Sequence, residues 1–344
     1  MQLLLSFGNT LNREIMLIQS SFQKVKKYTS VRSGENKLGQ SLDINKNDIL
    51  NRRELLSVLK NLKSKYIILG ICEDVGVRAN YGKAGANKAY DTFLSYFVNV
   101  QNNQFIASDA IFLLGEIFVT DIQNASKEVN NIDKLRELCA KIDERVVPVI
   151  ESIVMSGKIP IIIGGGHNNA YGNIKGTALA LDKKIDVLNI DPHADFRVEE
   201  GRHSGNGFRY AFSENYIERY GVWGLHENYN NQSILDSFSQ NPNLFFESFD
   251  NMLRNSSISL DQFLNQFSNE IGLELDLDAV KNMPTSAKTP VGFAEEEVIY
   301  FVYKISTSKI VLYYHLTEGS PDEANAYIVG KFLTYLVTSI IKTK

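Results

Sequence analysis

Six side chains in three short stretches carry the strongest chemical signal in the chain. Asp191-Pro192-His193-Ala194-Asp195 comes directly after an apolar run that begins at Ile185. Asp276-Leu277-Asp278 closes another run that begins at Ile271, and His167 stands behind three glycines, Gly164 to Gly166. In an extended chain, residues i, i+2 and i+4 point to the same side. This predicts that Asp191, His193 and Asp195 face one small volume, and Asp276 and Asp278 repeat the spacing on a second segment. Carboxylates and imidazoles crowded in this way repel one another and are poorly solvated; a bound cation relieves both problems. A lone DxD is common at solvated strand ends, so the weight rests on the joint occurrence. Four carboxylates and two imidazoles exceed the needs of one ion. They suit two, of the kind that sit roughly 3.5–4 Å apart under bridging carboxylates. The oxygen-rich set favours Mn2+ over thiolate-type zinc chemistry, with other divalent metals able to compete. Two cations acidify a shared water at neutral pH, so the expected chemistry is hydrolysis without a serine or cysteine nucleophile.

Such a cluster needs elements that hold its parts at one rim. From Tyr66 onward, short apolar runs alternate with longer segments of helical type. Tyr66 to Ile71, Ala110 to Gly115, Ile159 to Gly166, Ile185 to Asp191, Ile271 to Asp278 and Lys309 to Glu318 read as buried strands, with a further strand near Leu244 to Phe246. Their β-branched and leucine content suits strands covered on both faces. Asp133 to Ser156 reads as an amphipathic helix, with Pro148 expected to kink or split it. Alternation of this kind implies parallel βαβ units with helices on both faces of a doubly wound sheet, and ligands beyond the carboxyl ends of the strands. His167, Asp191 to Asp195, Asp276 with Asp278, and Glu318 all fall at such ends. The stretch from His226 to Ser259 reads as loop-rich. The first sixty residues, rich in Lys, Asn and Ser, form an N-terminal extension (1–60) expected to pack on a catalytic domain (61–344).

Bulk properties narrow the class. A net charge of −4 over 344 residues gives no reason to expect nucleic acid or an anionic membrane as partner. Cys72 and Cys139 form no CxxC pair and no disulfide framework, which suits a reducing compartment. Met1 to Ser6 lacks the basic start and the small-residue cleavage site of a signal peptide. No stretch reaches the roughly 18 uninterrupted apolar residues of a membrane span. A cytoplasmic protein acting on a small molecule is the expectation.

Longer motifs around these residues resemble those of the ureohydrolase superfamily of arginases, agmatinases and formimidoylglutamases. They are GGGHNNAYG from Gly164, NIDPHADFR from Asn189, SGNGFRYA from Ser204, LDLD from Leu275 followed by TPVGF, and TEGSPD from Thr317. Order and spacing agree over roughly residues 66 to 335. EDVGVRANYGKAGA from Glu73, glycine at Gly166, and the pair Ser204-Gly205 where arginases and agmatinases carry a catalytic histidine look most like formimidoylglutamases. The resemblance implies a three-layer α/β/α fold, a homo-oligomer and a dimanganese centre. His167 and Asp195 would hold one ion and His193 and Asp278 the other, with Asp191 and Asp276 bridging. Glu318 would orient the amidine nitrogen. N-formimidoyl-L-glutamate would give glutamate and formamide, a step in histidine breakdown.

The substrate's carboxylates call for guanidinium partners. Arg78, Arg197 and Arg209 lie in or beside the motifs and are the candidates, with Ser204 and Asn206 as neutral contacts and His203 as a displaced proton shuttle. The chain departs from the family pattern at Pro192, Lys83, Asn168 and Gly207, and at Leu273-Glu274, where a serine is common. Two alternatives use the same residues. One is an amidinohydrolase that releases urea from a guanidino compound; the other is a metal-binding member without activity.

Overall fold

The six apolar runs named first become the six central neighbours of one sheet. The computed structural model describes residues 14–45, 48–106 and 108–342; the apolar start Met1 to Ser6 lies outside them. In chain order the strands are β1 (Leu17–Gln19), β2 (Asp43–Ile44), β3 (Tyr66–Ile71), β4 (Ile111–Ile117), β5 (Ile159–Ile163), β6 (Ile185–Ile190), β7 (Ile217–Leu225), β8 (Leu244–Ser248), β9 (Glu270–Asp276) and β10 (Ile310–Thr317). Their spatial order is β1-β4-β3-β5-β10-β9-β6-β7-β8, with β2 also on β4. All pair in parallel except β1, which runs antiparallel to β4 with Leu17 opposite Ile117.

Strand periodicity splits the interior into two cores. On β3, Tyr66 and Ile68 join Phe93, Phe97, Val302 and Leu333 on one face. Ile67, Leu69 and Ile71 join Leu55, Ile142, Val146 and Ile174 on the other. These partners come from the helices Ala89–Phe97, Glu295–Ser308 and Ala326–Lys342 on the first face, and from Arg52–Asn61, Ile132–Met155 and Ala170–Leu181 on the second. Both faces of the sheet are therefore buried, which is why the strands are apolar at nearly every position. The result is the three-layer α/β/α arrangement the sequence predicts.

Pro148 does not split its helix. Ile132–Met155 runs through it as one element, although proline removes one backbone donor. The helix is held by its apolar stripe and by close approach to Ala170–Leu181. A Cβ at Gly176 would lie 2.8 Å from the Val147 carbonyl oxygen, so a glycine there lets the two backbones meet.

The Lys/Asn-rich start is structured where it is described. β1 and β2 cover the outer edge of β4, and Arg52 reaches across to Glu151 at 2.6 Å and donates to Ser152 Oγ at 3.1 Å. Among the described residues no helix is long and apolar enough to cross a membrane.

Candidate metal centre

The site is assembled at the carboxyl ends of β5, β6, β9 and β10. After β5, Gly164 and Gly165 take φ values of +82° and +75°, a left-handed turn open to glycine. The turn is held by Glu73, which accepts from Gly166 N at 2.9 Å and Asn169 Nδ2 at 2.6 Å. It delivers His167 to the centre of the rim. His167 Nδ1 lies 3.1 Å from Asp191 Oδ2, 3.0 Å from Asp195 Oδ2 and 3.1 Å from Asp276 Oδ2. One donor atom from each of these four residues falls within 4.8 Å of all the others.

The two central aspartates are held alike. Asp191 Oδ1 accepts from His193 N at 2.7 Å, and Asp276 Oδ1 accepts from Asp278 N at 2.7 Å. In each, one oxygen fixes the turn and the other faces His167. The expected extended 191–195 segment is not what forms. β6 ends at Ile190, and Asp195 sits at φ +44°, so the chain turns back and converges by curling. Asp278 likewise lies in a 3-10 turn after β9. His193 and Asp278 flank the four-residue cluster: His193 Nδ1 is 3.4 Å from Asp191 Oδ1 and 3.9 Å from Asp278 Oδ2. The His193 ring stacks on Tyr229, with centroids 5.4 Å apart.

The electrostatics fit a dicationic site. Burial, then the charges of Asp278 and Asp191, push the Asp276 carboxyl well above its usual range. Burial and Asp191 push Asp195 up, and burial raises Asp278 against the pull of His193. Burial works against ionisation of Asp191 too, but His167 and His193 hold it below its usual range. Burial works against protonation of His193, but Asp191 takes it up to about 10. Asp278 Oδ1 is buried without a hydrogen-bond partner. The protein's own groups thus leave several acids only partly compensated, an arrangement whose charge divalent cations would fit.

A cavity of about 280 Å3 opens onto the cluster. Glu318 lines it from the end of β10, at φ +65°. Its Oε1 accepts from His167 N at 2.7 Å. Burial and the neighbouring Asp278 push its carboxyl up to about 8.

Comparison with known proteins decides the family. The arginase-family sequence profile matches residues 64–340. The chain belongs to the arginase family. It is 27% identical over 280 residues to the formimidoylglutamase of Macrococcus caseolyticus, covering 78% of this chain and 83% of that one. Its fold is similar to that of the formimidoylglutamase of Bacillus subtilis, at a TM-score of 0.70 and 17% identity over 91% of this chain and 93% of that one. It is also similar to that of a formiminoglutamase of Trypanosoma cruzi with Mn2+, at 0.65 and 19% over 83% and 96%.

Within this arginase-family site the three candidate arginines part company. Arg197 lines the cavity, with Nη2 2.9 Å from Glu200 Oε1. It is the one arginine or lysine among the described lining residues. Arg78 is turned away: it donates to Ser126 Oγ at 2.9 Å, Ser126 O at 2.5 Å and Val129 O at 3.3 Å, tying down the end of the helix Thr120–Ser126. Arg209 lies over the Phe196 ring at 4.3 Å and donates to Ser237 Oγ at 3.0 Å. We therefore expect Arg78→Met to leave kcat/KM within about twofold while lowering stability by roughly 1–3 kcal/mol through lost carbonyl partners. Urea denaturation beside steady-state kinetics checks this; a large rise in KM with unchanged stability would return Arg78 to the substrate.

His203 and Asn206 also stand apart from the cavity lining. His203 Nδ1 accepts from Gly205 N at 3.1 Å and Nε2 faces Glu200 at 3.3 Å. Burial, then Arg136 and Arg197, lower its pKa to about 4, so it is neutral at physiological pH. Asn206 accepts from Arg202 Nη1 at 2.8 Å and donates to Gly201 O at 2.8 Å. Arg202, buried and donating also to Asp143 Oδ2 at 2.8 Å and Asn168 O at 2.8 Å, braces this loop from behind. Ser204 does line the cavity and accepts from Asn80 Nδ2 at 3.3 Å. Tyr229, Asn230, Asn231 and Ser286, none of them a sequence candidate, also line the wall.

Proposed function

We propose that the protein hydrolyses the formimidoyl group of N-formimidoyl-L-glutamate to L-glutamate and formamide, using two Mn2+ ions, as a step in histidine breakdown. Membership of the family makes it a metal-dependent hydrolase acting on a small molecule. One observation carries the finer reading. A cavity with Arg197 on its wall and Ser204 in place of a histidine ends on the His167, Asp191, Asp195 and Asp276 cluster.

In this reading His167 and Asp195 would hold one ion and His193 and Asp278 the other, with Asp191 and Asp276 contributing to both. When bound, the ions supply an acidified water and polarise the C=N carbon. The remaining work falls to side chains. Glu318, anchored by the His167 amide, is placed to accept from the amidine nitrogen and so fix the plane of the reacting group. Arg197 offers a fork of donors to a substrate carboxylate. Asp195 and Asp278 also line the cavity, and a carboxylate there would pass to the departing nitrogen the proton that water gives up.

A second reading is favoured by a single fact. Arg197 is the one arginine or lysine among the described lining residues, whereas glutamate brings two carboxylates. A guanidino acid with one carboxylate, releasing urea, matches that count. A product panel separates the two. The Mn2+-loaded protein is expected to release formamide from formimidoylglutamate and little urea from guanidinobutyrate, agmatine or arginine. Urea release from one of these, with formimidoylglutamate inert, overturns the proposal.

A further inference from the structure

Behind the cluster lies a second group that neither the family nor the proposed chemistry accounts for. Glu274 on β9 stands directly across from His315 on β10 in the parallel register. Both side chains, and that of His167, are fully buried. Glu274 Oε2 is 2.5 Å from His315 Nδ1 and 3.4 Å from His167 Nε2. His315 Nε2 in turn lies 3.4 Å from the carbonyl oxygen of Gly164, in the loop that carries His167. Glu274 Oε1 and His167 Nε2 are both buried with no hydrogen-bond partner.

The tautomer of His167 gives this arrangement a purpose. Nδ1 faces three carboxylate oxygens, so a lone pair on Nδ1 requires the ring proton on Nε2. A buried N–H with no acceptor would be costly. Glu274 Oε2, 3.4 Å from Nε2, comes within ion-pair range of that nitrogen without the geometry of a formed hydrogen bond, and His315 holds it there. We propose that Glu274, oriented by His315, is a positioning residue of the metal centre: it fixes His167 as the Nε2–H tautomer and strengthens Nδ1 as a cation ligand. A carboxylate behind a metal-binding imidazole raises its basicity, and loss of such a group typically lowers metal affinity about 10–100-fold. The serine common at this position of the family motif brings no charge, so the centre here holds the ion at His167 more tightly than serine in that place would allow.

This inference rests on the metal-centre reading, and the test separates the two. Metal-free wild type, Glu274→Gln, Glu274→Ser and His315→Gln are titrated with Mn2+, following free ion by electron paramagnetic resonance. Thermal unfolding of each metal-free protein is recorded alongside. Wild type is expected to take up two ions. The Glu274 variants should bind one of them about 10–100-fold more weakly and the other as before. The metal-free midpoint is expected to fall as well, because Glu274 is paired with His315 in the buried interior; the affinity carries the test, because a packing role alone would lower the midpoint and leave both ions bound as in wild type. If Glu274→Ser does not fold, the near-isosteric Glu274→Gln carries the same test. Two ions bound by Glu274→Gln with wild-type affinity overturn the proposal. A wild type that takes up no Mn2+ overturns it together with the metal centre.

Discussion

Asp276→Asn is expected to remove at least one of the two proposed ions and to cut kcat/KM on the order of a thousandfold, about 4 kcal/mol of transition-state stabilisation. Asp276 Oδ1 accepts from Asp278 N at 2.7 Å, and Oδ2 lies 3.1 Å from His167 Nδ1. An asparagine cannot serve both contacts as acceptor. If its oxygen keeps the Asp278 amide, its NH2 points at His167 Nδ1 and occupies the lone pair a cation needs. If the amide flips, two donors meet at Asp278 N and that ligand turn is released. Either way one full negative charge is gone. The metal-free variant has a distinct signature. Asp276 is a buried carboxyl pushed well above its usual range, so the neutral amide should unfold at a higher temperature than wild type without metal. Metal analysis, steady-state kinetics and calorimetry on one preparation test all three statements. Near-wild-type turnover with two ions bound would remove Asp276 from the bridging role.

The parts of the site that were legible in the sequence are those where chemistry and period coincide. Asp191, Asp195, Asp276 and His167 interrupt or close apolar runs, and a carboxylate at the end of a buried strand needs a reason. Parallel topology then brings these ends together, because every strand from β3 to β10 points the same way. What was not legible follows from the same logic. β7 escaped notice because Glu218, Arg219, Gly221 and Gly224 break up its apolar residues. Once that strand is missed, the loop after it has no place on the rim, and Tyr229, Asn230 and Asn231 go with it.

The arginines fail for a different reason. Arg78, Arg197 and Arg209 all sit close to motifs, but a long side chain can turn either way from its Cα. Only the positions of Ser126, Phe196 and Glu200 decide which way each one turns, and those come from the tertiary fold. Glu274 was visible as a departure from the family pattern. Its partner His315, forty-one residues away in sequence, becomes its neighbour only through the β9–β10 register.

Metal removal should make stability strongly pH-dependent, with the loss toward high pH. In the metal-free protein His193 is raised to about 10, against an unfolded value near 6.5, and Glu318 to about 8, against one near 4.3. Asp276 and His167 are raised as well. Between pH 6.5 and 8.5 His193 and Glu318 bind more protons folded than unfolded, so folding stability falls as pH rises, and the upward shifts of Asp276 and His167 have the same sign. Asp191 and Glu274 are shifted the other way. Their contribution is complete once pH is above the unfolded carboxyl range, so they add no slope in this window. One net proton over two pH units amounts to about 3 kcal/mol, on the order of 4 °C in the unfolding midpoint for a chain of this size. Divalent cations take the place of those protons, and their binding strengthens with pH because the ligands must be deprotonated. The gap between midpoints of the Mn2+-loaded and chelator-treated protein is therefore expected to widen steadily from pH 6.5 to 8.5. A gap that stays flat or narrows would mean that the clustered acids are not what the cations compensate, and the two-ion reading of His167, His193 and the four aspartates would lose its electrostatic basis.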